Sequence, residues 1–171
     1  RSHKPQPRIT DIKMDMDLYP KERNFVANGT YILKNKTKVA IDTIYINHGK
    51  NTEVSFNVKN KLISKDTVFN FDIYRLEKSL IVGDSIQMKF VVKNKPNTFF
   101  RDNSPVEYNG TFINNSMFPS IGYSDQSELT DDEVRKKYGL KPRDRMPKPT
   151  DSIARQNTYI SNDADWVTFE T

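Results

Sequence analysis

The sequence contains no cysteine and only two histidines among its 171 residues. The absence of cysteine excludes disulfide bonds and thiolate metal sites, and it leaves the redox compartment undetermined. The histidines, His3 and His48, lie far apart, and neither belongs to a His-Glu-x-x-His pattern. A zinc site built wholly within this chain is therefore not expected, and no metal ligand is predicted in it.

Glycine is also scarce, and long apolar runs are missing. The six glycines are scattered, so there is no glycine-rich phosphate loop, and no Gly-x-Ser-x-Gly nucleophile elbow occurs. No apolar run approaches the roughly 20 residues needed to cross a bilayer, and the first residues lack the apolar segment of a signal peptide. We interpret the chain as non-catalytic, with no catalytic residue and no cofactor of its own.

The residues that are plentiful favour a β-sheet protein. Hydrophobic residues make up only 35% of the chain and the mean hydropathy is −0.76, yet there are 10 phenylalanines and 8 tyrosines. Aromatic and β-branched residues pack well on pleated surfaces. A sheet with one wet face combines such a core with high overall polarity.

Period-two alternation predicts six or seven short antiparallel strands through about residue 93. The first strand alternates apolar and charged residues over 12–18, and the second places apolar residues on one face over 25–33. Further strands are predicted around the apolar residues Ile44 and Ile46, Val54 to Val58, Phe69 to Ile73, and Ile86 to Val92. Turns are predicted at 47–51 and 80–85.

From residue 94 to 171 the periodicity fades, although apolar groups remain frequent. We expect an irregular extension with one short helix near 131–138 and a terminal strand. Thr130 with Glu133 forms a capping box that starts the helix, and Gly139 suits a left-handed cap at its end. The predicted fold is mainly β, an antiparallel sandwich or saddle-like sheet. We expect 1–171 to be one β-rich domain of a larger protein, because Trp166 to Thr171 looks like an interrupted strand.

The charges are unbalanced only between Arg135 and Lys148, a stretch that contains seven basic residues and one acidic residue, Asp144. A nucleic-acid reader would interleave aromatics for base stacking, and only Tyr138 is present, so no nucleic-acid partner is predicted. Docking on the acidic surface of an adjoining domain and a solvated loop remain alternatives. The chain also holds four glycosylation sequons, which a composition rich in Asn, Ser and Thr produces by chance: Asn28, Asn35, Asn109 and Asn114.

The second half of the chain contains several distinctive motifs: Asn109–Phe112, Phe118–Tyr123, Glu128–Leu129, Arg135–Leu140, Arg143–Pro147 and Asp163–Glu170. Together they resemble motifs of bacterial proteins of the aminopeptidase N-like (gluzincin) family, in the branch fused to an ABC-transporter-type permease. The first half resembles the family's N-terminal domain at Tyr19–Pro20, Gly29–Leu33 and Gly83–Ser85.

This resemblance implies a non-catalytic N-terminal β-domain that packs on a thermolysin-like catalytic domain and shapes its substrate cleft. Zinc is expected only in that following domain, held by His-Glu-x-x-His and a later Glu. The implied partners are the catalytic domain of the same parent chain, permease segments in the membrane, and the parent's peptide substrate. The parent would be membrane-associated, with this domain on a soluble side.

The resemblance also suggests site residues. In the family, a Gln or Glu that binds the substrate's amino group precedes an Ala-Arg-x-x-Phe-Pro-Cys segment. This chain has Phe118-Pro119-Ser120 without the Ala-Arg, which puts ordinary aminopeptidase specificity in doubt. Glu107 and Asn109 are the candidate substrate-cleft residues. The candidate interdomain interface consists of Phe112, Phe118, Tyr123, Arg143, Arg145 and Trp166. The alternative to this function is a stand-alone β-sandwich module that binds carbohydrate or protein.

Overall fold

The computed structural model describes residues 4–96, 104–108, 110–123, 128–143, 150–151 and 164–171. The chain forms two compact units. The first comprises Arg1–Tyr123 with Asp163–Thr171, and the second comprises Ser124–Asn162.

Seven strands form the regular part of the first unit, and the alternation predicted six of them. They are β1 (Arg8–Tyr19), β2 (Asn24–Lys34), β3 (Ile41–Asn47), β4 (Thr52–Phe56), β5 (Asn60–Asp66), β6 (Phe71–Leu80) and β7 (Ser85–Asn94). Four shorter elements follow in this unit: β8 (Val106–Glu107), β9 (Gly110–Thr111), a 3-10 turn (Asn115–Met117) and β10 (Ser120–Ile121). The last strand is β11 (Ala164–Glu170).

The strands form two larger sheets and a hairpin. One sheet has the order β11-β1-β2-β7-β4, the other has the order β10-β3-β6-β5, and β8 pairs with β9. The pairs are antiparallel except that β11 runs parallel to β1. The first sheet is therefore mixed at one edge, where the sequence predicted antiparallel pairing throughout. A parallel neighbour needs a long connection, and alternation within a strand does not encode it.

The core lies between the two larger sheets, which share one cluster of buried side chains. On β2 the face predicted from the sequence is confirmed, since Phe25, Ala27, Tyr31 and Leu33 are all at most 5% exposed. The second sheet contributes mainly branched aliphatic residues from β3 and β6. Period-two alternation thus identified the buried face because one side of each central strand is dry.

The prediction was wrong around Phe69. This residue was placed in a strand, but it lies in the turn between β5 and β6 with 60% of its surface exposed. Strand β5 itself was not predicted. It is an edge strand whose residues are all exposed or half-buried, so it carries no alternation of apolar and polar side chains.

Residues 104–123 cover part of the same core. Val106 and Ile121 are buried, and Ile113, Met117 and Phe118 pack against the core cluster. Strand β10 extends the second sheet through the pairing of Ile121 with Ile46. The apolar residues of this segment therefore serve the chain's own packing to a large extent.

The second unit contains the predicted helix, α1 (Asp132–Lys137). Its N-cap is Asp131 and not Thr130, because the Asp131 carboxylate accepts a hydrogen bond of 2.9 Å from the Val134 amide. Gly139 has φ +67° and its amide donates to Lys136 O, while the Leu140 amide donates to Arg135 O. These two bonds form a Schellman motif. Within the described residues, no helix is both long enough and apolar enough to span a bilayer.

Candidate interdomain interface

Glu107 lies on β8, in the hairpin that docks against the turn between β1 and β2. The Ser104 hydroxyl donates to Arg23 O at 2.6 Å and accepts from the Val106 amide at 3.1 Å. The Phe112 amide donates to Pro105 O at 2.7 Å. With Val106 fully buried, these contacts hold the hairpin in place and fix the direction of its side chains.

The Glu107 carboxylate is bound by the guanidinium of Arg23. Arg23 Nε donates to Glu107 Oε2 at 3.0 Å, and Nη2 contacts Oε1. Both side chains are partly exposed, 31% for Arg23 and 44% for Glu107. A two-point pair of this kind orients the carboxylate firmly. A substrate ammonium group that approached Glu107 would have to share it with Arg23.

A depression of about 540 Å³, open to solvent, lies beside Glu107. The hairpin lines it together with Ser104, Pro105 and Met117. Asn109, the second candidate cleft residue, lies outside the described residues. Its lining includes the carboxylate of Glu107 and the residue Phe112.

The aromatic residues proposed for the interface fall into different environments. Phe112 is 73% exposed. Phe118 is half-buried against the chain's own core, where its ring centroid lies 6.2 Å from that of Phe90. Tyr123 is half-buried as well. Tyr108, which sequence reasoning did not single out, is 88% exposed on the same hairpin as Phe112, so the hairpin presents two uncovered rings.

Strand β11 presents a second uncovered apolar surface. Trp166 is 96% exposed, and Phe169 is 54% exposed. Phe169 pairs with Ile12, which packs against the core cluster. The register of β11 against β1 shifts between Ala164 and Thr168, the stretch that contains Trp166. Lys13 Nζ and Glu170 Oε2 lie 2.7 Å apart, which ties β11 to β1. The same contact raises the pKa of Lys13 through the hydrogen bond and charge of Glu170.

The two arginines of the proposed interface belong to the second unit. Arg143 is half-buried, and its amide donates to Asp132 Oδ1 at 3.4 Å. Arg145 lies outside the described residues. Arg135, also in the basic run, binds Glu128 at 3.1 Å and donates to the carbonyls of Leu129 and Lys141. At least one cation of the run therefore stabilises the unit that carries it.

A polar cluster that sequence reasoning missed lies between β3 and β6. His48 Nε2 is 3.2 Å from Asp72 Oδ2, and both side chains are at most 7% exposed. His48 Nδ1 faces Gly49 O at 2.8 Å, and the Tyr74 hydroxyl donates to Asp72 Oδ2 at 3.4 Å. The sequence placed His48 in a loop, and nothing in its neighbours along the chain signalled that Asp72 would meet it.

Tyr74 should titrate late in the folded chain. Burial, followed by the charge of Asp72 and the hydrogen bond to it, raises the pKa of Tyr74 above its ordinary value. A raised folded-state pKa contributes stability below the unfolded value of about 10, and this stability is lost as pH rises through the folded value. Alkaline titration followed by tyrosinate absorbance should show a late component that disappears in Tyr74→Phe. Tyr108→Phe, which removes an exposed phenol, should leave that component in place, and identical titrations of the two variants would contradict the assignment.

Among the described residues, no group of three or more His, Asp or Glu side chains is arranged to hold a metal ion. The His48–Asp72 pair supplies only two such side chains.

No protein-family model matches this chain, and no curated protein matches it. Among solved structures, it is similar to the M1 zinc metallopeptidase from Deinococcus radiodurans, with a TM-score of 0.40 and 11% identity over 54% of this chain and 21% of that one. A mutant of that enzyme matches over 57% of this chain and 23% of its own, at 10% identity and a TM-score of 0.40. A two-domain M1 zinc metallopeptidase mutant bound to L-arginine matches with the same TM-score at 11% identity. This chain thus corresponds to about a fifth of the length of those metallopeptidase chains.

Proposed function

We propose that this chain is a non-catalytic β-domain of a zinc aminopeptidase-like, membrane-linked protein. In this role it packs on the catalytic domain of its parent and shapes one wall of the substrate cleft. Zinc and the catalytic residues would belong to that other domain. The motif resemblance across Asn109–Phe112, Phe118–Tyr123 and Asp163–Glu170 supports this family assignment.

The observation that carries the proposal is the exposed apolar surface of β11. A tryptophan that is 96% exposed, followed by a half-exposed phenylalanine, is unusual on a polar domain, and such surfaces mark interaction sites. Exposed edge strands with apolar side chains also tend to pair or aggregate unless they are covered. A neighbouring domain that packs on Trp166 and Phe169 would remove these apolar side chains from water and would also cover the exposed edge of β11.

The hairpin gives the proposed cleft wall its chemistry. Glu107 lines the open depression, and Tyr108 and Phe112 present uncovered rings beside it. A carboxylate held by Arg23 can still accept hydrogen bonds from a peptide backbone or ammonium group on its free lone pairs. This wall would therefore contact substrate without taking part in bond cleavage.

The test uses Trp166, the single tryptophan in the chain. In the isolated chain its emission should be that of an indole in water and should be quenched readily by iodide. Addition of the separately produced catalytic domain of the parent should shift the emission to the blue and reduce quenching, because the indole leaves water. Emission that is quenched equally with and without that domain would overturn the proposed contact.

Variants sharpen this test. Trp166→Ser should weaken association with the catalytic domain by about tenfold or more, since large aromatic residues dominate interfaces of this kind. Phe69→Ser is the matched control, because Phe69 is an exposed ring at the β5–β6 turn, and it should leave the affinity within about twofold. Equal losses in the two variants would argue for nonspecific hydrophobic association.

The alternative, a stand-alone module for carbohydrate or protein, gives a different result. Sugar-binding modules stack ligands on exposed rings. Soluble glycans should therefore change the Trp166 emission without any partner domain.

A further inference from the structure

Two chain reversals are joined by one buried side chain. Asn35 is fully buried, and its amide nitrogen donates to Val39 O at 2.8 Å and to Leu80 O at 2.9 Å. Its oxygen accepts from the Thr37 amide and hydroxyl at 2.9 and 2.7 Å. The loop after β2 and the turn between β6 and β7 therefore form one unit, which we call the tip (residues 35–40 and 81–84).

The tip exposes aliphatic side chains to water. Val39 is 53% exposed, Ile81 is 58% exposed and Val82 is 55% exposed. They lie close together because Asn35 bridges the carbonyls of Val39 and Leu80. β-Branched aliphatic residues are an uncommon choice for tight turns, where Gly, Asn, Asp and Ser prevail. Packing within the chain does not explain their position.

The backbone of the tip is largely hydrogen-bonded within itself. The Gly83 amide donates to Asn35 O at 2.9 Å, the Asn35 amide to Asp84 O at 2.9 Å, and the Asp84 amide to Ile81 O at 3.2 Å. Gly83 has φ +86°, which permits the tight reversal. Satisfied amides are what a segment needs if it is to leave water for an apolar phase, because each unsatisfied group there is costly.

Lysines outnumber acidic residues around the aliphatic side chains. Lys34, Lys36, Lys38 and Lys78 are exposed in or next to the tip, where Asp42, Glu77 and Asp84 are the acidic residues. Lysine stems can lie along apolar surface while their ammonium groups reach polar headgroups. Aliphatic side chains combined with a lysine surplus are the chemistry of a segment that inserts shallowly into an anionic membrane surface.

The turn between β5 and β6 offers a contrast within the same unit. It also exposes apolar side chains, with Val68 at 80% and Phe69 at 60%. Its organising residue is an aspartate, however, since Asp66 Oδ1 accepts from the Val68 and Phe69 amides at 3.0 Å. Asp66 is preceded by one exposed lysine, Lys65, so this turn lacks the lysine surplus that would attract anionic lipid. The two turns thus match in apolar exposure and differ in the number of lysines around them.

From this combination we infer that the tip docks on a bilayer that contains anionic phospholipid, with Val39, Ile81 and Val82 at the level of the acyl-chain boundary. This inference concerns the domain's own contact with lipid, and it does not depend on a peptidase partner. Its failure is therefore distinguishable from failure of the Trp166 test, which uses no lipid.

The absence of cysteine allows a direct test with a single introduced label. The full chain carrying Val82→Cys with an environment-sensitive fluorophore is mixed with phosphatidylcholine vesicles containing about a third phosphatidylglycerol, a composition chosen for its surface charge. We expect a blue shift with these vesicles, little shift with pure phosphatidylcholine, and loss of the shift at high salt. The same label at Val68→Cys should remain in water.

Cosedimentation with the same vesicles separates the two contributions. The double variant Ile81→Ser with Val82→Ser should lower the partition coefficient by about tenfold or more, and Lys38→Gln with Lys78→Gln by about tenfold. Val68→Ser with Phe69→Ser should change it by less than about twofold. Absence of binding, equal shifts for both labels, or binding that survives high salt would overturn the inference and indicate that the tip contacts a protein or nothing at all.

Discussion

Replacing Gly29 with alanine should destabilise the fold by about 3 kcal/mol, at the upper end of what overpacking a core costs. Gly29 pairs with Phe90 across β2 and β7, and the Phe90 ring lies over the glycine. A methyl group there would lie 2.6 Å from Cε2 of Phe90 and closer still to Cζ. The ring has little room to move, because its centroid is 4.6 Å from that of Tyr31 and it also contacts Phe118.

Urea unfolding measures this effect, and a double-mutant cycle tests its cause. Phe90→Leu replaces the ring with a shorter aliphatic side chain that lacks the clashing Cε and Cζ atoms, so Gly29→Ala should cost much less in that background than in the wild type. Gly110→Ala is the control, since nothing lies within 4 Å of its added methyl group, and its effect should stay within about 0.5 kcal/mol. Additive effects of the Gly29 and Phe90 substitutions would show that the clash is relieved in some other way.

Replacing Asn35 with alanine should cost about 2–3 kcal/mol, because it leaves the buried Leu80 carbonyl without its side-chain donor and frees three further partners. Asn35→Asp should be at least as damaging, since a carboxylate would face the carbonyls of Val39 and Leu80 with no hydrogen to donate. Thermal unfolding of both variants measures this loss.

Asn28→Ala supplies the control for Asn35. Asn28 lies on the same strand, β2, with its side chain exposed, so its replacement should stay within about 0.5 kcal/mol. A small effect of Asn35→Ala would indicate that the two chain reversals hold together without their bridging amide. The burial of Asn35 also means that its sequon cannot carry a glycan in the folded chain, because the amide nitrogen that would be modified is enclosed.

Local patterns predicted most of the regular structure. Strands β2 and β7 have one dry face, and the alternation over 25–33 and 86–92 matched their buried residues. On β1 the alternation over 12–18 matched less well, since Met14 is buried but Leu18 is exposed. The helix was predicted from its capping residues, although the N-cap in the structure is Asp131 and the predicted one was Thr130. This difference arises because the carboxylate of Asp caps a helix as well as the hydroxyl of Thr does, so two adjacent N-cap candidates look alike in sequence.

Edges and turns were harder to predict, for a common physical reason. Strand β5 is exposed along its length, so hydrogen bonds to β6 hold it and hydrophobic burial leaves no mark on its sequence. Phe69 looked like a strand residue by its type alone, but Asp66 accepts from the Val68 and Phe69 amides and sets a turn there. Side-chain to backbone bonds of this kind override residue preference.

For the candidate site residues, the sequence could name individual side chains, but it could not predict their contacts. Glu107 was singled out through resemblance, and only the fold revealed its pairing with Arg23, 84 residues away along the chain. Phe118 and Phe112 look equivalent in sequence, yet one packs on the core and the other is exposed. In the sequence Asn35 stood out only as one of four sequons, and its role in joining two distant reversals depends on Leu80, 45 residues away.

The sequence by itself determined the β-rich class, the buried faces of the central strands, and the place of the short helix with its C-terminal glycine cap, because each depends on neighbours a few residues apart. Only the tertiary structure decided the parallel pairing of β11 with β1, the ion pair of Glu107, the buried His48–Asp72 contact and the joined tip around Asn35. Each of these brings together groups that are distant in the chain, and their proximity follows from how the sheets close over the shared core.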